Sequence, residues 1–431
     1  MLSVMLPWAL ITVLLLSHGL CLAPLFTAVR ADRVPRPLDV VGISVIIYFD
    51  LGVGLEVCGL RIHSSFFHSI FDASDSQVII AGLLIAAAPW LMRLGSLSRL
   101  PVPGARLLRL RDGARRRWLY IVVVAVSAIC AFVPGSLLVV QPRLRESREL
   151  LGRLLGPYII VLSLPMYLLA FLVRVEELRT RWGRVFLGVV ATSAVLATVF
   201  AGQRTLVLLP MLMLLFFGGK FSWKRTVGVA IGGATLAAFL LQPFKSSSSE
   251  NTMSAAELFE ETVGNDFYRG PELVRAVGMA SAFGPRSVDY AGAGYVYAAL
   301  FFVPRSVVPF KGNATAQAFT AEVTQSDPRS LDWGFGISAI SEAVLNFGLV
   351  IAPIVLVAYG AVIGWLERRC ERWQSLQIPL LLASLWIFGY HLPALLLNFG
   401  AMAAVGIGCE KFFTEQSGGG FAECLVEGRA Q

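Results

Sequence analysis

"ISAISEAVLNFGLVIAPIVLVAYGAVIG", Ile337 to Gly364, decides the fold class. It is longer than the roughly 20 apolar residues that a helix needs to cross a bilayer, and its one acid is Glu342. Worked outward, the same criterion marks spans at 2–23, 38–60, 77–93, 118–140, 157–174, 184–201, 203–219, 226–243, 337–364 and 377–400. The apolar run continues from Phe399 to Phe413, so the total is roughly ten or eleven. Composition agrees: mean hydropathy is +0.71, and charged residues make up 15% of the 431, against about 25% in a soluble domain. The expected fold is an all-α polytopic membrane protein.

The start "MLSVMLPWALITVLLLSHGLCLA" is like a signal peptide in its small-residue end, but it lacks a basic leading region and is long enough to span. It reads as a retained first span. The net charge of +8 is mostly arginine between spans, where it sets orientation. Loops 24–37, 93–117, 175–183, 219–225 and 365–376 are basic and fall on one side if spans alternate, which makes that side cytoplasmic and the N-terminus external. Loop 141–156, with four Arg against two Glu, dissents. The cluster Arg106, Arg109, Arg111, Arg115, Arg116 and Arg117 lies between two spans, so nucleic acid is not an expected partner. The six cysteines are scattered without metal spacing, and neither a nucleotide motif nor an outer acidic pair is present; no cofactor or metal is implied.

The domain expectation follows. Residues 1–243 form an N-terminal bundle of about eight helices, 244–336 a large extracytoplasmic loop, 337–413 the C-terminal helices and 414–431 a flexible tail. Within the loop, "SAAELFEETV" has a Ser254 cap with Glu257 three residues on, and "ELVRAVGMASAFG" is a second helix ended by Gly284 and Pro285. "GAGYVYAALFFV" is apolar but stops at Pro304, so it lies in the interface or re-enters rather than spanning.

Ionisable groups at membrane depth mark function by default. Arg204 opens a short apolar run, "AGQRTLVLLPMLMLLFFGGK", which places it in the first outer turn of a helix, beside a positive helix dipole. The plainer reading is an arginine snorkelling to headgroups. Ser338, Glu342 and Asn346 share one helix face, with Glu342 one to two turns below the outer surface. The plainer reading there is a structural Glu–Arg pair. Asp50 and His391 sit mid-span, where hydrogen bonding inside the bundle is the favoured reading; His391 would serve as a base if a cavity reached it. In "FFVPRSVVPFKG", Pro304 and Pro309 fix the backbone around Arg305 and Lys311, a fork and a point charge suited to phosphate at the head of a lipid. The plainer reading is headgroup contact.

At these residues the chain resembles the Wzy-type oligosaccharide repeat-unit polymerases of O-antigen and exopolysaccharide synthesis. The matching pieces are Gly202 and Arg204 opening a short span, the large outer loop, Gly294–Tyr295 before an apolar run, "VPRSVVPFKG" and "GISAISEAVLNFG". They cover roughly residues 200–370 and depart from the family at Gly312, where it usually has proline. The resemblance implies a GT-C-like, metal-independent glycosyltransferase in the bacterial inner membrane with its loop in the periplasm. Its substrate would be an undecaprenyl-diphosphate-linked glycan, transferred to the non-reducing end of an incoming repeat unit. Implied partners are membrane lipids, a chain-length regulator and a repeat-unit flippase. In that frame Arg305 and Arg204 hold the diphosphate with Lys311 assisting, Glu342 or else His391 is the base, and Arg269, Asn346 and Tyr295 position sugars. The competing readings are an O-antigen ligase, which typically has a loop histidine that 244–336 lacks, a transporter or flippase using Asp50 and His391, and a scaffold with no need of Arg204 or Glu342.

Overall fold

The computed structural model describes residues 2–30, 35–96, 108–140, 162–200, 260, 264, 267–370 and 372–414, with short breaks at 61, 63–66, 68, 112, 285–287, 302, 329 and 332–333. Those residues are mostly helical and contain no strand, only the isolated bridges Leu108–Val175 and Leu110–Thr414. Arg204, the expected spans 203–219 and 226–243, loop 141–156 and the Ser254–Glu257 cap lie outside them.

Six helices among the described residues are long and apolar enough to cross a membrane. They are α1 (Leu2–Arg30), α2 (Pro37–Val57), α3 (Asp75–Gly95), α4 (Ala114–Val140), α10 (Ala339–Arg369) and α12 (Leu392–Phe413). Between them come α5 (Leu164–Leu172), α6 (Arg181–Phe200), α7 (Gly270–Phe283), α8 (Ala293–Ala299), α9 (Thr315–Thr324) and α11 (Gln377–Trp386). The spanning helices carry bare apolar side chains outward, Val350 at 86% exposure among them. No soluble surface arranges leucine and valine in this way over whole helix faces, and lipid is the medium that accepts them. The chain is a helical membrane protein.

Two compact units interleave along the chain. One takes residues 1–104, 220–372 and 377–401; the other takes 105–219, 373–376 and 402–431. In the first, α3 and α10 cross at backbone distance. A Cβ at Gly360 would strike the Met92 carbonyl, and one at Gly95 would strike Val357, so small residues permit the contact. Ion pairs tie the ends of these helices. Arg36 donates from Nε and Nη2 to the Glu367 carboxylate at 3.1 and 2.9 Å, and Arg93 lies 3.3 Å from Asp39. The start of α2 and the ends of α3 and α10 therefore meet at one basic end, as alternating spans require.

Mid-bundle, α2 loosens into a π turn over Ile46–Asp50. Asp50 there meets His18 of α1 at 2.6 Å, and the other nitrogen of His18 lies 3.2 Å from the Ile85 carbonyl. Asp50 thus has the bundle-internal bond expected of it. Its partner went unnoticed in the sequence.

In the second unit α4, α5 and α6 pack together, and Glu410 accepts the backbone N–H groups of Gln374 and Ser375. Buried Arg174 donates to the Gln374 carbonyl.

Two expectations need correction. The run 377–400 is not one span: α11 ends at Trp386, the chain turns, and α12 begins at Leu392 and continues to Phe413. Pro393 cannot donate to a preceding turn, and Gly389 lies so close to the Tyr48 ring that no side chain would fit. His391 consequently sits in a turn, not mid-helix. Likewise, α10 is broken at Gly348, whose φ of 75° and ψ of 176° are not helical.

Candidate functional site

The segment from Val288 to Asn313 forms a loop structure around α8. Gly292 caps that helix in the left-handed region, and the helix stops at Ala299, short of Pro304, so this apolar stretch does not span. Arg305 follows in a turn, and Pro309–Lys311 form one 3-10 turn. Lys311 does not face outward. It is 5% exposed, donates to the carbonyls of Phe301 (2.8 Å) and Val303 (2.9 Å), and lies 4.7 Å from the centre of the Tyr297 ring. Its work here is to clamp the loop, so a direct grip on substrate is not what its donors serve. Gly312 has a φ of 71°, a conformation closed to proline.

Arg305 is exposed. Its Nη2 donates to the Gly312 carbonyl (2.9 Å) and to Asn313 Oδ1 (2.5 Å). Of the five N–H donors of a guanidinium, those on Nε and Nη1 have no protein partner among the described residues. Arg305 lines a cavity of about 560 Å³ with Asp289, Tyr290, Pro309, Phe310, Gly312 and Asn313, within the usual range for ligand sites. Phe310 is 68% exposed, while the Tyr290 hydroxyl donates to its carbonyl at 2.8 Å.

Beneath the loop lie the first turns of α10. Ser338 is the N-cap and accepts from Ser341 N at 3.1 Å. Glu342, 1% exposed, accepts the Leu392 N–H at 2.8 Å and so caps α12, one residue past His391. The glutamate and histidine named as base candidates are thereby neighbours. Nδ1 of His391 is a buried atom without a hydrogen-bond partner among the described residues. The anticipated Glu–Arg pair is instead a carboxylate on a helix N-terminus, which attracts negative charge for the same reason.

Asn346 is fully buried and fully used. Its Oδ1 accepts from Gly294 N (2.8 Å), and its Nδ2 donates to Thr315 Oγ1 (2.9 Å) and the Glu342 carbonyl (2.8 Å). Gly294 is glycine because a Cβ would overlap Thr315. The Tyr295 hydroxyl accepts from Tyr359 at 3.0 Å, and its ring packs on Phe347. Asn346 and Tyr295, expected to position sugars, thus join α8 and α9 to α10. Arg269 is the N-cap residue of α7; its backbone N–H reaches the Tyr48 carbonyl at 2.8 Å and its guanidinium packs on Gly336.

Sequence reasoning missed Glu272. As an acid in the first turn of α7 it looks like a routine dipole partner. It is buried and accepts from Ser338 N at 3.3 Å. Burial lifts its carboxyl from 4.5 to about 7, with Arg269, Ser341 and Ser338 opposing and Glu342 reinforcing. A carboxyl raised on folding binds its proton more tightly in the native state. Its contribution is therefore full below the ordinary carboxylate range and is lost as pH rises through about 7. Glu272→Gln is expected to shrink the fall in melting temperature between about pH 5 and pH 8, measured in detergent.

Glu342→Gln keeps an oxygen for the Leu392 N–H and is expected to stay within about 1 kcal/mol of the parent, whereas Glu342→Ala loses about 1–3 kcal/mol. Chemical unfolding of both variants checks the pair. Among the described residues no three His, Cys, Asp or Glu side chains gather as metal ligands would. No protein-family model matches the chain, and neither does any curated protein or solved structure.

Proposed function

We propose that the protein polymerises lipid-linked oligosaccharide repeat units at the outer face of a bacterial inner membrane. Glycan on undecaprenyl diphosphate moves to the non-reducing end of another lipid-linked unit, and the lipid diphosphate leaves. The observation that carries this reading is Arg305: an exposed guanidinium on a clamped loop, lining a cavity that also has aromatic and carboxylate residues in its walls. As the glycosidic bond breaks, charge grows on the diphosphate, and a preorganised cation stabilises it. Arg204 is the second arginine of this proposal, and Lys311 acts through the shape of the loop. A GT-C-like architecture and partnership with a flippase and a chain-length regulator belong to the same reading.

The test is purified protein with lipid-linked repeat units as sole substrate. A ladder of lengthened products supports polymerisation; single additions to a different acceptor lipid support a ligase. One observation favours a transporter, the buried His18–Asp50 pair, since charges at such depth often couple transport. Uptake of repeat units by proteoliposomes without any transfer would establish that alternative.

A further inference from the structure

Glycosyl transfer to a hydroxyl needs a group that removes its proton, and the first of the two bases suggested by the sequence is closed off: Glu342 is 1% exposed and caps α12. A different carboxylate stands in the open. Asp289 lines the same cavity as Arg305 and is exposed. Its Oδ2 is fixed by the Asn313 N–H at 2.7 Å, while its Oδ1 has only a longer contact with Asn313 Nδ2 at 3.3 Å. The side chain of Asn313 meanwhile accepts from Arg305. One amide therefore stands between acid and guanidinium and holds both, and the two do not form an ion pair with each other. Neither charge is neutralised by the other at contact. An anion-binding group and a proton acceptor line one space, and the aromatic residues Tyr290 and Phe310 are among its other walls.

We propose that Asp289 is the catalytic base of this cavity, taking the proton of the acceptor sugar's attacking hydroxyl while Arg305 holds the departing diphosphate. The inference rests on the transferase reading given above. In the step, the acceptor oxygen bonds to the anomeric carbon as the bond from that carbon to the diphosphate oxygen breaks. The electron pair of the broken bond leaves with the lipid diphosphate. The hydroxyl proton passes to Asp289 Oδ1 and from there to water. The rings of Tyr290 and Phe310 supply apolar faces for the acceptor sugar.

Asp289→Asn is the decisive variant, because its side-chain oxygen still accepts the Asn313 N–H and the loop keeps its shape. With lipid-linked repeat units, kcat is expected to fall about 10²–10⁴-fold with little change in KM or melting temperature. The acidic limb of the pH–rate profile should disappear with it. Asp289→Glu keeps a carboxylate and should recover part of the rate together with that limb. Parental kcat in Asp289→Asn overturns the inference while leaving the transferase reading standing. A parent protein that makes no ladder overturns both.

Discussion

Arg305→Ala is expected, on the proposed transferase reading, to lower the rate of repeat-unit transfer by about 10²–10³-fold, the loss usual for one preorganised donor to a developing anion. The residue is exposed, so its removal takes away two loop hydrogen bonds and no core packing. Melting temperature in detergent should therefore move little. The separation matters because Arg305 has a plainer reading, contact with lipid headgroups, under which the variant transfers at the parental rate. Arg305→Lys restores charge but not the planar fork, and it is expected to fall between parent and alanine. Rates are read from the growth of the product ladder over time, with the melting temperature of each variant as the control.

Asn346→Leu is expected to give the largest loss of stability, about 3 kcal/mol or more, in thermal or chemical unfolding. The substitution is similar in size, but it leaves the buried Gly294 N–H without its acceptor and removes the Nδ2 hydrogen bonds to Thr315 Oγ1 and the Glu342 carbonyl. A buried donor left without an acceptor costs about 1–3 kcal/mol, and the two further hydrogen bonds lost beside it add about 1 kcal/mol each. Asn346→Asp should be nearly as harmful, since an oxygen would then face both Thr315 and the carbonyl. A sugar-positioning role for Asn346 predicts the opposite pattern: activity lost at constant stability.

These contrasts show where sequence is a good guide. The spans were legible because bilayer thickness demands a fixed length of apolar residues, and α1, α2, α3, α4 and α10 lie where that length predicted. The shared face of Ser338, Glu342 and Asn346 was legible from helical period alone. What faces them was not. The group that Glu342 caps lies 50 residues away, and the contacts of Asn346 lie 31 and 52 away. No local pattern signals such partners. His18 escaped notice because one histidine in an apolar run looks like any other polar interruption until Asp50 is set beside it. Lys311 shows the same limit in another form. Its charge and its flanking proline were visible, but the direction of a flexible side chain is decided by carbonyls of the preceding turn. The break after Trp386 was masked by uniform hydropathy, since Gly389 and Pro393 sit in a run apolar enough to span.

The bend at Gly348 has a consequence for membrane depth. A helix rising about 1.5 Å per residue covers about 46 Å from Ala339 to Arg369, well beyond a hydrocarbon layer of about 30 Å. Residues 349–369 alone rise about 32 Å and already match that thickness. The bend lets the excess length turn aside instead of forcing tilt or a thickened bilayer. The residues ahead of it, with Ser338, Glu342 and Asn346, are then not needed for the crossing itself. Thickness matching of this kind lets one helix divide its length between two tasks, the part after Gly348 being long enough to cross and the part before it holding α8 and α9 through Asn346.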